Sequence, residues 1–257
     1  KYDSIFMKAF KIAGILLVVL YANSCAKQSS NNVNLDAGLV AYYPFSGNAN
    51  DSSGNRNNGE VTNAVLTKDR FGMEGKAYYF DGKRARIAIK TIDLSKSFGP
   101  LSDTAEFSIS VWIKASDITS KMYHTICRQE GPEVSRPDWI FAFQDSGKTL
   151  SFGTKQDYYS ELDIKIDPNK FADSSWHHLS ATISCCYGRS VYLDGVKIGA
   201  DDYVRTGTIK YKEKLGAIGS TSALSQITEF FYGSIDDLRY YNRALNYEEV
   251  IALASKK

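Results

Sequence analysis

The sequence predicts an all-β protein, a sandwich of two antiparallel sheets with one short helix near its C-terminal end. Aromatic residues are abundant, with 17 Tyr and 13 Phe among 257 residues, whereas only 5 residues are Pro. This composition favours strands. Apolar and polar residues also alternate along several short segments, a period of two that is typical of half-buried strands. These segments follow one another without helical periods between them, as in a two-sheet sandwich.

The clearest strand is predicted over residues 107–114. Phe107, Ile109 and Val111 share one face of this strand, and Trp112 and Lys114 lie on the other. Further strands are predicted at residues 39–43, 77–80, 84–89, 139–143, 178–183, 190–193 and 231–241.

Two turns and one helix complete the predicted fold. The dipeptides Asp81-Gly82 and Asp194-Gly195 each stand between apolar runs, and Asp-Gly in that position predicts a β-hairpin. Asn246, with Glu249 three residues later, forms the pattern of a helix N-cap and predicts a helix over residues 247–254.

Residues 1–25 are not expected to belong to the fold. A basic start at Met7 precedes an apolar run at residues 12–20 and small residues before Cys25. This pattern predicts export, and the run is shorter than the ~20 apolar residues of a membrane span. The segment resembles a bacterial lipoprotein signal, which implies a lipid on Cys25 and attachment at the bacterial outer membrane or cell surface. A plain secreted protein with an ordinary Cys25 is the alternative.

The rest of the chain divides into a tether and one domain. Residues 26–36 are polar and rich in Ser and Asn, the composition of a flexible linker, and residues 37–257 are the predicted sandwich domain. From Cys25 onwards, 28 basic residues balance 28 acidic residues. This balance argues against nucleic acid as a partner.

Three cysteines lie within the predicted domain. Cys127 is expected to form a disulfide with either Cys185 or Cys186, because a bond between the two neighbours would be strained. His124 lies three residues before Cys127, so the two side chains are expected to face opposite sides of a strand.

Six motifs in one order resemble the bacterial laminin-G-like domains of the concanavalin A-like lectin/glucanase superfamily. The resemblance covers residues 37–254 and implies a jelly-roll sandwich whose curved face or rim loops recognise glycans or extracellular partners. The motifs are LVAYYPF (39–45) with NDSSGNRNNG (50–59), AYYFDG (77–82), FSISVWI (107–113), WHH (176–178), VYLDG (191–195) and GSIDDLRYYNRAL (233–245).

The same resemblance raises the question of catalysis. Relatives of this fold hydrolyse β-glucans with three carboxylates at positions i, i+2 and i+4 of one strand, which share a face. Glu161 and Asp163 begin that pattern, but Lys165 occupies the third position and Asp167 lies beyond it. The chain is therefore expected to be non-catalytic. A divergent glycoside hydrolase is an alternative.

A calcium site is a further expectation. The loop with Asn48, Asn50, Asp51 and Asn55 offers oxygen ligands of the kind that Ca²⁺ prefers. The resemblance implies that Asp51 and Asp236 hold a structural calcium ion. The alternative is a turn that its own side chains stabilise through hydrogen bonds to the backbone.

Sugar binding needs exposed aromatic rings with polar groups around them. Tyr158 and Tyr159 lie between polar residues, and Tyr123 and Trp139 lie in or beside predicted loops. These four residues are the candidate ligand-binding residues, although half-buried Tyr is also common at sandwich edges. The expected function is carbohydrate binding by an envelope lipoprotein. Adhesion to another envelope protein is the alternative.

Overall fold

The computed structural model describes residues 33–90, 106–130, 137–155, 159–184, 187–203, 215–221 and 229–255. The described residues from 34 onwards form one compact unit. Among the described residues, no helix is long and apolar enough to cross a membrane. Cys25, Tyr158, Cys185 and Cys186 lie outside the described residues.

The described strands and the helix occur in the following order along the chain: β1 (Leu39–Tyr43), β2 (Glu60–Thr62), β3 (Val65–Thr67), β4 (Ala77–Asp81), β5 (Arg86–Lys90), β6 (Phe107–Ala115), β7 (Tyr123–Glu130), β8 (Pro137–Gln144), β9 (Thr149–Lys155), β10 (Tyr159–Lys165), β11 (His177–Ser184), β12 (Gly188–Leu193), β13 (Val196–Asp201), β14 (Leu215–Ile218), β15 (Tyr232–Tyr241) and the helix α1 (Tyr247–Ala254).

These strands form two antiparallel sheets, as the sequence predicts. The eight-stranded sheet has the order β13-β12-β11-β6-β15-β4-β3, with β1 also paired to β15. The seven-stranded sheet has the order β10-β9-β8-β7-β14-β5-β2. Many neighbours in space are distant in sequence, so the sandwich depends on long-range pairing.

The core lies between the sheets and is rich in aromatic rings. Phe107 of β6 packs against Trp139 and Phe152 of the seven-stranded sheet, with ring centroids 6.2 and 5.6 Å apart. All three side chains are buried. Burying a side chain of this size contributes about 1.5–3 kcal/mol, so the apolar half of each alternating strand holds the two sheets together.

The C-terminal helix begins where the sequence predicts. Asn246 accepts a hydrogen bond from the Glu249 backbone N–H at 2.9 Å, and the Glu249 side chain accepts one from the Asn246 N–H at 2.9 Å. Val250 and Leu253 of α1 pack on Tyr192 and Tyr241. The helix therefore covers part of the outer surface of the eight-stranded sheet with a second, smaller apolar cluster.

The two Asp-Gly dipeptides have different roles. Asp194 and Gly195, with φ values of 50° and 81°, connect β12 to β13 in a two-residue hairpin, as predicted. The prediction for Asp81-Gly82 is wrong, because β4 belongs to the eight-stranded sheet and β5 to the seven-stranded sheet. The turn at Gly82 is a crossing between the sheets.

One prediction about Cys127 is also wrong. A bulge in β7 between Thr125 and Cys127 shifts the register, so that His124 pairs with Phe143 and Cys127 with Phe141. Both side chains consequently lie on the core side, where simple alternation predicts opposite faces. Cys127 is buried and forms no disulfide with a described residue, and its expected partners, Cys185 and Cys186, lie outside the described residues.

Candidate functional site

The outer side of the seven-stranded sheet carries polar residues that the sequence singles out. Directly paired residues of antiparallel strands share a face: Glu161 of β10 pairs with Gly153 of β9, and Asp163 pairs with Ser151. We call this surface the polar face. It consists of the outward residues of β7–β10: Tyr123, Thr125, Arg128, Ile140, Ala142, Gln144, Thr149, Ser151, Gly153, Tyr159, Glu161, Asp163 and Lys165.

Tyr159 lies across the neighbouring strand. A methyl group on Gly153 would approach Cζ of Tyr159 to 2.9 Å and Cγ2 of Ile140 to 2.8 Å. The missing side chain at Gly153 therefore makes room for the phenol ring. The Tyr159 hydroxyl donates a hydrogen bond to Oε1 of Glu161 at 2.5 Å. As a result, a half-buried aromatic ring is fixed beside a carboxylate.

Glu161 and Asp163 share one donor. The Ser151 hydroxyl lies 3.3 Å from Oε2 of Glu161 and also donates to Oδ1 of Asp163. Gln144 donates to Oε2 of Glu161 at 3.1 Å. An ionised carboxylate has about four acceptor positions, so both groups are held in place while retaining capacity for further donors.

Lys165 occupies the position where the glucanase pattern requires a third carboxylate. Its ammonium group lies 3.0 Å from Oδ2 of Asp145 and 2.8 Å from Oγ1 of Thr149. A lysine held in this way does not supply the carboxylic acid that protonates a leaving glycosidic oxygen. The strand is also the edge of its sheet. The geometry thus provides two carboxylates on one face without completing the hydrolytic set.

At the β7 side of the polar face lies a buried arginine that sequence reasoning missed. Arg128 donates to Oε2 of Glu130 at 3.0 Å and to Oε2 of Glu229 at 3.1 Å. The Thr125 hydroxyl donates to the same Glu229 oxygen at 3.1 Å. Glu229 lies 101 residues after Arg128 in the sequence, and no local pattern links the two. These contacts fix a charged group at the β7 side of the polar face.

The candidate aromatic residues have different environments. Tyr123 is 41% exposed and lies on the polar face, paired with Gln144. Tyr159 lies on the same face, on the edge strand β10. Trp139 is fully buried between Phe107 and Tyr240 in the core, so its assignment as a ligand-binding residue is wrong. The tryptophan faces inward because it stands at an inward position of β8 rather than in a loop.

The calcium prediction for Asp51 does not fit its surroundings. Oδ1 of Asp51 accepts from the backbone N–H groups of Tyr42 at 2.9 Å and Ser53 at 2.8 Å. Oδ2 accepts from the Ser53 hydroxyl at 2.9 Å and from the Asn57 N–H at 2.9 Å. The carboxylate thus ties its own loop to β1, which corresponds to the alternative of a self-stabilised turn.

Asp236 is likewise engaged elsewhere. Its Oδ2 lies 2.6 Å from Nη1 of Arg70, and Asp237 lies 3.1 Å from Nη2 of the same guanidinium. Burial raises the pKa of Asp236 to about 7, although Arg70 opposes the rise. Within the described ranges, no three His, Cys, Asp or Glu side chains form a group that could hold a metal ion. The donor set expected for Ca²⁺ is therefore not assembled from these two aspartates.

Solved structures with the same fold include several binding domains. The binding domain of botulinum neurotoxin DC in complex with SialylT has a TM-score of 0.64 at 16% identity, covering 86% of this chain and 52% of that chain. The same toxin domain in complex with rat synaptotagmin II has a TM-score of 0.62 at 16% identity, with the same coverage. The chain therefore spans about half the length of these toxin domains.

A second type of neighbour matches over almost its full length. Domain 4 of AbnA, a GH43 extracellular arabinanase from Geobacillus stearothermophilus, was solved in complex with arabinotriose. It has a TM-score of 0.60 at 22% identity, covering 85% of this chain and 99% of that domain. At these identities, the similarity establishes a shared fold.

Sequence comparison gives the family itself. No curated protein matches the chain. The profile of the Laminin_G_3 family, described as the concanavalin A-like lectin/glucanases superfamily, matches residues 89–251. That range includes β6 to β15 and thus all the strands of the polar face. Together with the two-sheet sandwich, this match shows that the chain belongs to the laminin-G-like family of the concanavalin A-like lectin/glucanase superfamily.

Proposed function

We propose that the chain binds carbohydrate on the polar face and does not cleave it. The single observation that carries this proposal is the fixed group of Tyr159, Glu161, Ser151 and Asp163. Sugar recognition requires an apolar ring surface beside well-positioned donors and acceptors. Here a half-buried phenol ring contacts the carboxylate of Glu161, and Asp163 lies two positions further along the same face of the strand.

Hydrogen bonding within the group favours binding of a neutral sugar. Glu161 and Asp163 are oriented by Ser151, and Glu161 also by Gln144, before any ligand arrives. Pre-organised acceptors lose little conformational entropy on binding. A sugar that stacks on Tyr159 would donate its hydroxyl protons to the remaining acceptor positions.

The absence of cleavage in this proposal rests on Lys165. Retaining and inverting glycosidases both need one carboxylic acid and one carboxylate on either side of the scissile bond. Glu161 and Asp163 point from the same edge strand, and the next outward position of β10 is the lysine paired with Asp145. The arrangement favours holding a sugar over protonating its leaving group.

The known structures support a binding role at the level of the fold. Two neighbours were solved in complex with SialylT and arabinotriose, respectively. A third complex contains a protein, rat synaptotagmin II. A protein partner, such as another envelope protein, is accordingly the second candidate and an outcome that the binding experiment distinguishes.

The proposal also includes the place of action. Residues 7–25 have the order of a bacterial lipoprotein signal, a basic start followed by an apolar run and Cys25. A lipid on Cys25 would hold the domain at the bacterial outer membrane or cell surface through the polar segment 26–36. Mass spectrometry of the protein from membranes would detect acyl chains on Cys25. An unmodified Cys25 would exclude the anchor.

A glycan array with the purified full chain tests the binding proposal. We expect selective binding to a small set of glycans. Tyr159→Ala should weaken this binding about tenfold or more, because the variant loses both the aromatic ring that stacks on the sugar and the charge-assisted hydrogen bond to Glu161. Tyr247→Ala is the matched control, since Tyr247 is an exposed tyrosine on α1, on the other sheet. Failure of all glycans to bind, or equal losses in both variants, would contradict the proposal.

Incubation with β-glucans and arabinan tests the absence of cleavage. We expect no new reducing ends from the full chain. Turnover that disappears in Glu161→Gln would show that the polar face is a hydrolytic site after all.

A further inference from the structure

The two edges of the sandwich are built differently. At one edge, β10 ends the seven-stranded sheet and β13 ends the eight-stranded sheet. Ile164 of β10 fills the space beside Gly199 of β13, where a Cβ would lie 2.5 Å from Cγ1 of Ile164. Arg189 of β12 is paired with Asp201 and donates to the Ser160 carbonyl of β10 at 2.8 Å. Contacts between the sheets therefore close this edge.

The opposite edge is open. There β2 ends the seven-stranded sheet and β3 ends the eight-stranded sheet, and no described strand pairs with the far side of either. Val61 pairs with Ile87 and Leu66 with Tyr78, so Val61 and Leu66 lie on the core side of their sheets. Even so, Val61 is 37% exposed and Leu66 is 41% exposed. We call this surface the open edge; it consists of β2, β3 and the loop at residues 68–76.

Hydrophobic side chains are concentrated at the open edge. Of the eleven large hydrophobic side chains that are exposed in the described part of the chain, tyrosines included, five lie within residues 61–73. Three of the five are at least half exposed, namely Val65, Phe71 and Met73. A group of exposed apolar side chains of this kind marks a surface that contacts a protein or a membrane.

The loop of the open edge holds two of these side chains in a fixed position. Oδ1 of Asp69 accepts hydrogen bonds from the backbone N–H groups of Phe71 at 2.9 Å and Met73 at 2.8 Å. The Arg70 guanidinium lies 4.5 Å from the ring centroid of Phe71 and 4.9 Å from that of Trp112 on β6. Because the loop is fixed before any contact, Phe71 and Met73 lose little conformational entropy on binding.

Positive charge accompanies these side chains. Residues 60–90, from β2 to β5, hold seven basic and four acidic residues, although the predicted sandwich domain as a whole holds equal numbers of both. One of the seven, Arg70, is paired with carboxylates of β15. Lys68 and Lys76 stand at either side of the loop tip, and Lys68 forms only an exposed ion pair with Glu74. The remaining surplus of positive charge complements an anionic surface.

We propose that the open edge contacts an anionic lipid bilayer. Phe71 and Met73 enter the boundary between the headgroups and the acyl chains, and Lys68 and Lys76 meet anionic headgroups. Buried apolar area and attraction between basic residues and anionic lipids together determine how strongly a surface of this kind binds. The polar face is not involved and a lipid on Cys25 is not required, so this proposal and the proposed function can fail separately.

The charge and the short strands of the open edge disfavour other occupants. A second copy of the chain would bring the same surplus of positive charge to the contact, and like charges repel across an interface. The strands β2 and β3 have three residues each. Edge strands of that length offer few backbone groups for pairing with a strand of another protein.

Fluorescence of the variant Phe71→Trp in the full chain tests the contact locally. Vesicles contain phosphatidylglycerol and phosphatidylcholine with brominated acyl chains in equal amounts, and bromine quenches a tryptophan that reaches the acyl region. We expect these vesicles to quench a larger fraction of the emission of Phe71→Trp than of the unmodified chain. Tyr247→Trp, at a similarly exposed position on α1, is the matched control and should show no additional quenching. The apolar run at residues 12–20 holds no tryptophan and adds no signal of its own.

Charge reversal tests the role of the two lysines. In the Phe71→Trp chain, Lys68→Glu/Lys76→Glu should reduce the additional quenching by about half or more, because the loop is then repelled by anionic headgroups. Lys197→Glu, at an exposed lysine of the closed edge, should leave it unchanged. Vesicles of brominated phosphatidylcholine alone should likewise give less than about half of the additional quenching.

Three results would overturn the proposal: no additional quenching in Phe71→Trp, equal quenching by neutral vesicles, or unchanged quenching after the charge reversal. Sedimentation velocity without vesicles tests a second copy as the occupant. We expect the unmodified chain and Phe71→Ser/Met73→Ser to sediment alike. A dimer that this double variant abolishes would assign the open edge to contact between two copies and would also overturn the proposal.

Discussion

The outer surfaces of the two sheets carry similar charged residues but use them differently. On the eight-stranded sheet, Arg70 is held between Asp236 and Asp237, and its guanidinium stacks on Trp112 at 4.9 Å. On the seven-stranded sheet, Glu161 and Asp163 receive hydrogen bonds from neutral groups such as Ser151. The charges around Arg70 are paired with one another, whereas Glu161 and Asp163 can still accept further hydrogen bonds.

This difference shows how a charged cluster on a sheet becomes a site. Asp236 and Asp237 of the eight-stranded sheet are buried and paired with arginines, so they stabilise the fold in a way that leaves nothing for a ligand. Asp237 also accepts two hydrogen bonds from Arg239, at 2.9 and 3.1 Å. On the polar face, by contrast, Asp163 is exposed. Residue type alone does not distinguish the two surfaces. The partner of each carboxylate does.

The largest expected effect comes from breaking the closed network. Arg70→Ala leaves Asp236 and part of Asp237 without their guanidinium, and removal of one partner from a buried ion pair costs about 3–5 kcal/mol. We expect the free energy of unfolding, measured with urea at pH 8, to fall by an amount near the lower end of that range. At pH 8 Asp236 is ionised. The matched control is Lys165→Ala, which breaks the exposed pair with Asp145 on the polar face. Equal losses in the two variants would remove the proposed contrast.

Acid should weaken the eight-stranded sheet through His178. Burial lowers the pKa of this histidine to about 4, below its ordinary value of 6.5. Between these two pH values the unfolded chain binds the proton and the folded chain does not, so stability falls as pH falls. The loss amounts to about 3 kcal/mol between pH 6.5 and pH 4. Above pH 6.5 this contribution is fully present.

The variant His178→Gln should lack this part of the acid dependence when unfolding is measured across the same pH range. A variant of its neighbour, His177→Gln, serves as the control, because the hydrogen bond that the His177 ring donates to Asp194 raises the pKa of His177. The stability that His177 contributes is present below its ordinary pKa of 6.5 and is lost as pH rises, which is the opposite of the dependence expected for His178. If the free energy of unfolding of His178→Gln depended on pH as steeply as that of the unmodified chain, the acid sensitivity would belong to other groups.

A smaller effect on stability is expected from Gly153→Ala on the polar face. The new methyl group would collide with the end of the Tyr159 side chain, which can move away, so we expect a loss of less than about 1–2 kcal/mol. Glycan affinity should nevertheless fall about tenfold, because the ring no longer lies in its binding position. Ser151→Ala, which removes the donor shared by Glu161 and Asp163, should weaken binding in the same assay. Unchanged binding in Gly153→Ala would show that the Tyr159 ring does not contact the sugar.

The smallest effect is expected from removal of calcium. Asp51 is satisfied by groups of its own loop and Asp236 by Arg70. A chelator should therefore leave the melting temperature unchanged within about 1 °C, because no ligand of the folded state is removed. Added Ca²⁺ should have no effect either. If a chelator lowered the melting temperature and added calcium restored it, a different set of ligands would bind the ion.

Much of the fold is local and was predictable for that reason. The alternation along β6 places Ile109 and Val111 in the core, because successive side chains of a strand point to opposite faces. The cap at Asn246 and the hairpin at Asp194-Gly195 depend on a few neighbouring residues. For the polar face, alternation also places Glu161 and Asp163 on the same side of β10.

Several contacts that shape the outer surfaces of the two sheets join residues far apart in the sequence. Arg70 and Asp236 are 166 positions apart, and Arg128 and Glu229 are 101 positions apart. A single bulge in β7 places His124 and Cys127 on the same side of the strand, where strict alternation would place them on opposite faces. Such shifts leave no periodic pattern in the sequence.

By itself, the sequence determined the sandwich, its C-terminal helix and the face on which each regular strand places its side chains. These features follow from periodicity and from capping between near neighbours. The tertiary structure alone decided that Trp139 is buried, that Asp81-Gly82 crosses between sheets, and which carboxylates retain acceptor capacity. The physical reason is that solvent access and charge pairing depend on what packs against a residue, and in this fold the packing partners come from distant parts of the chain.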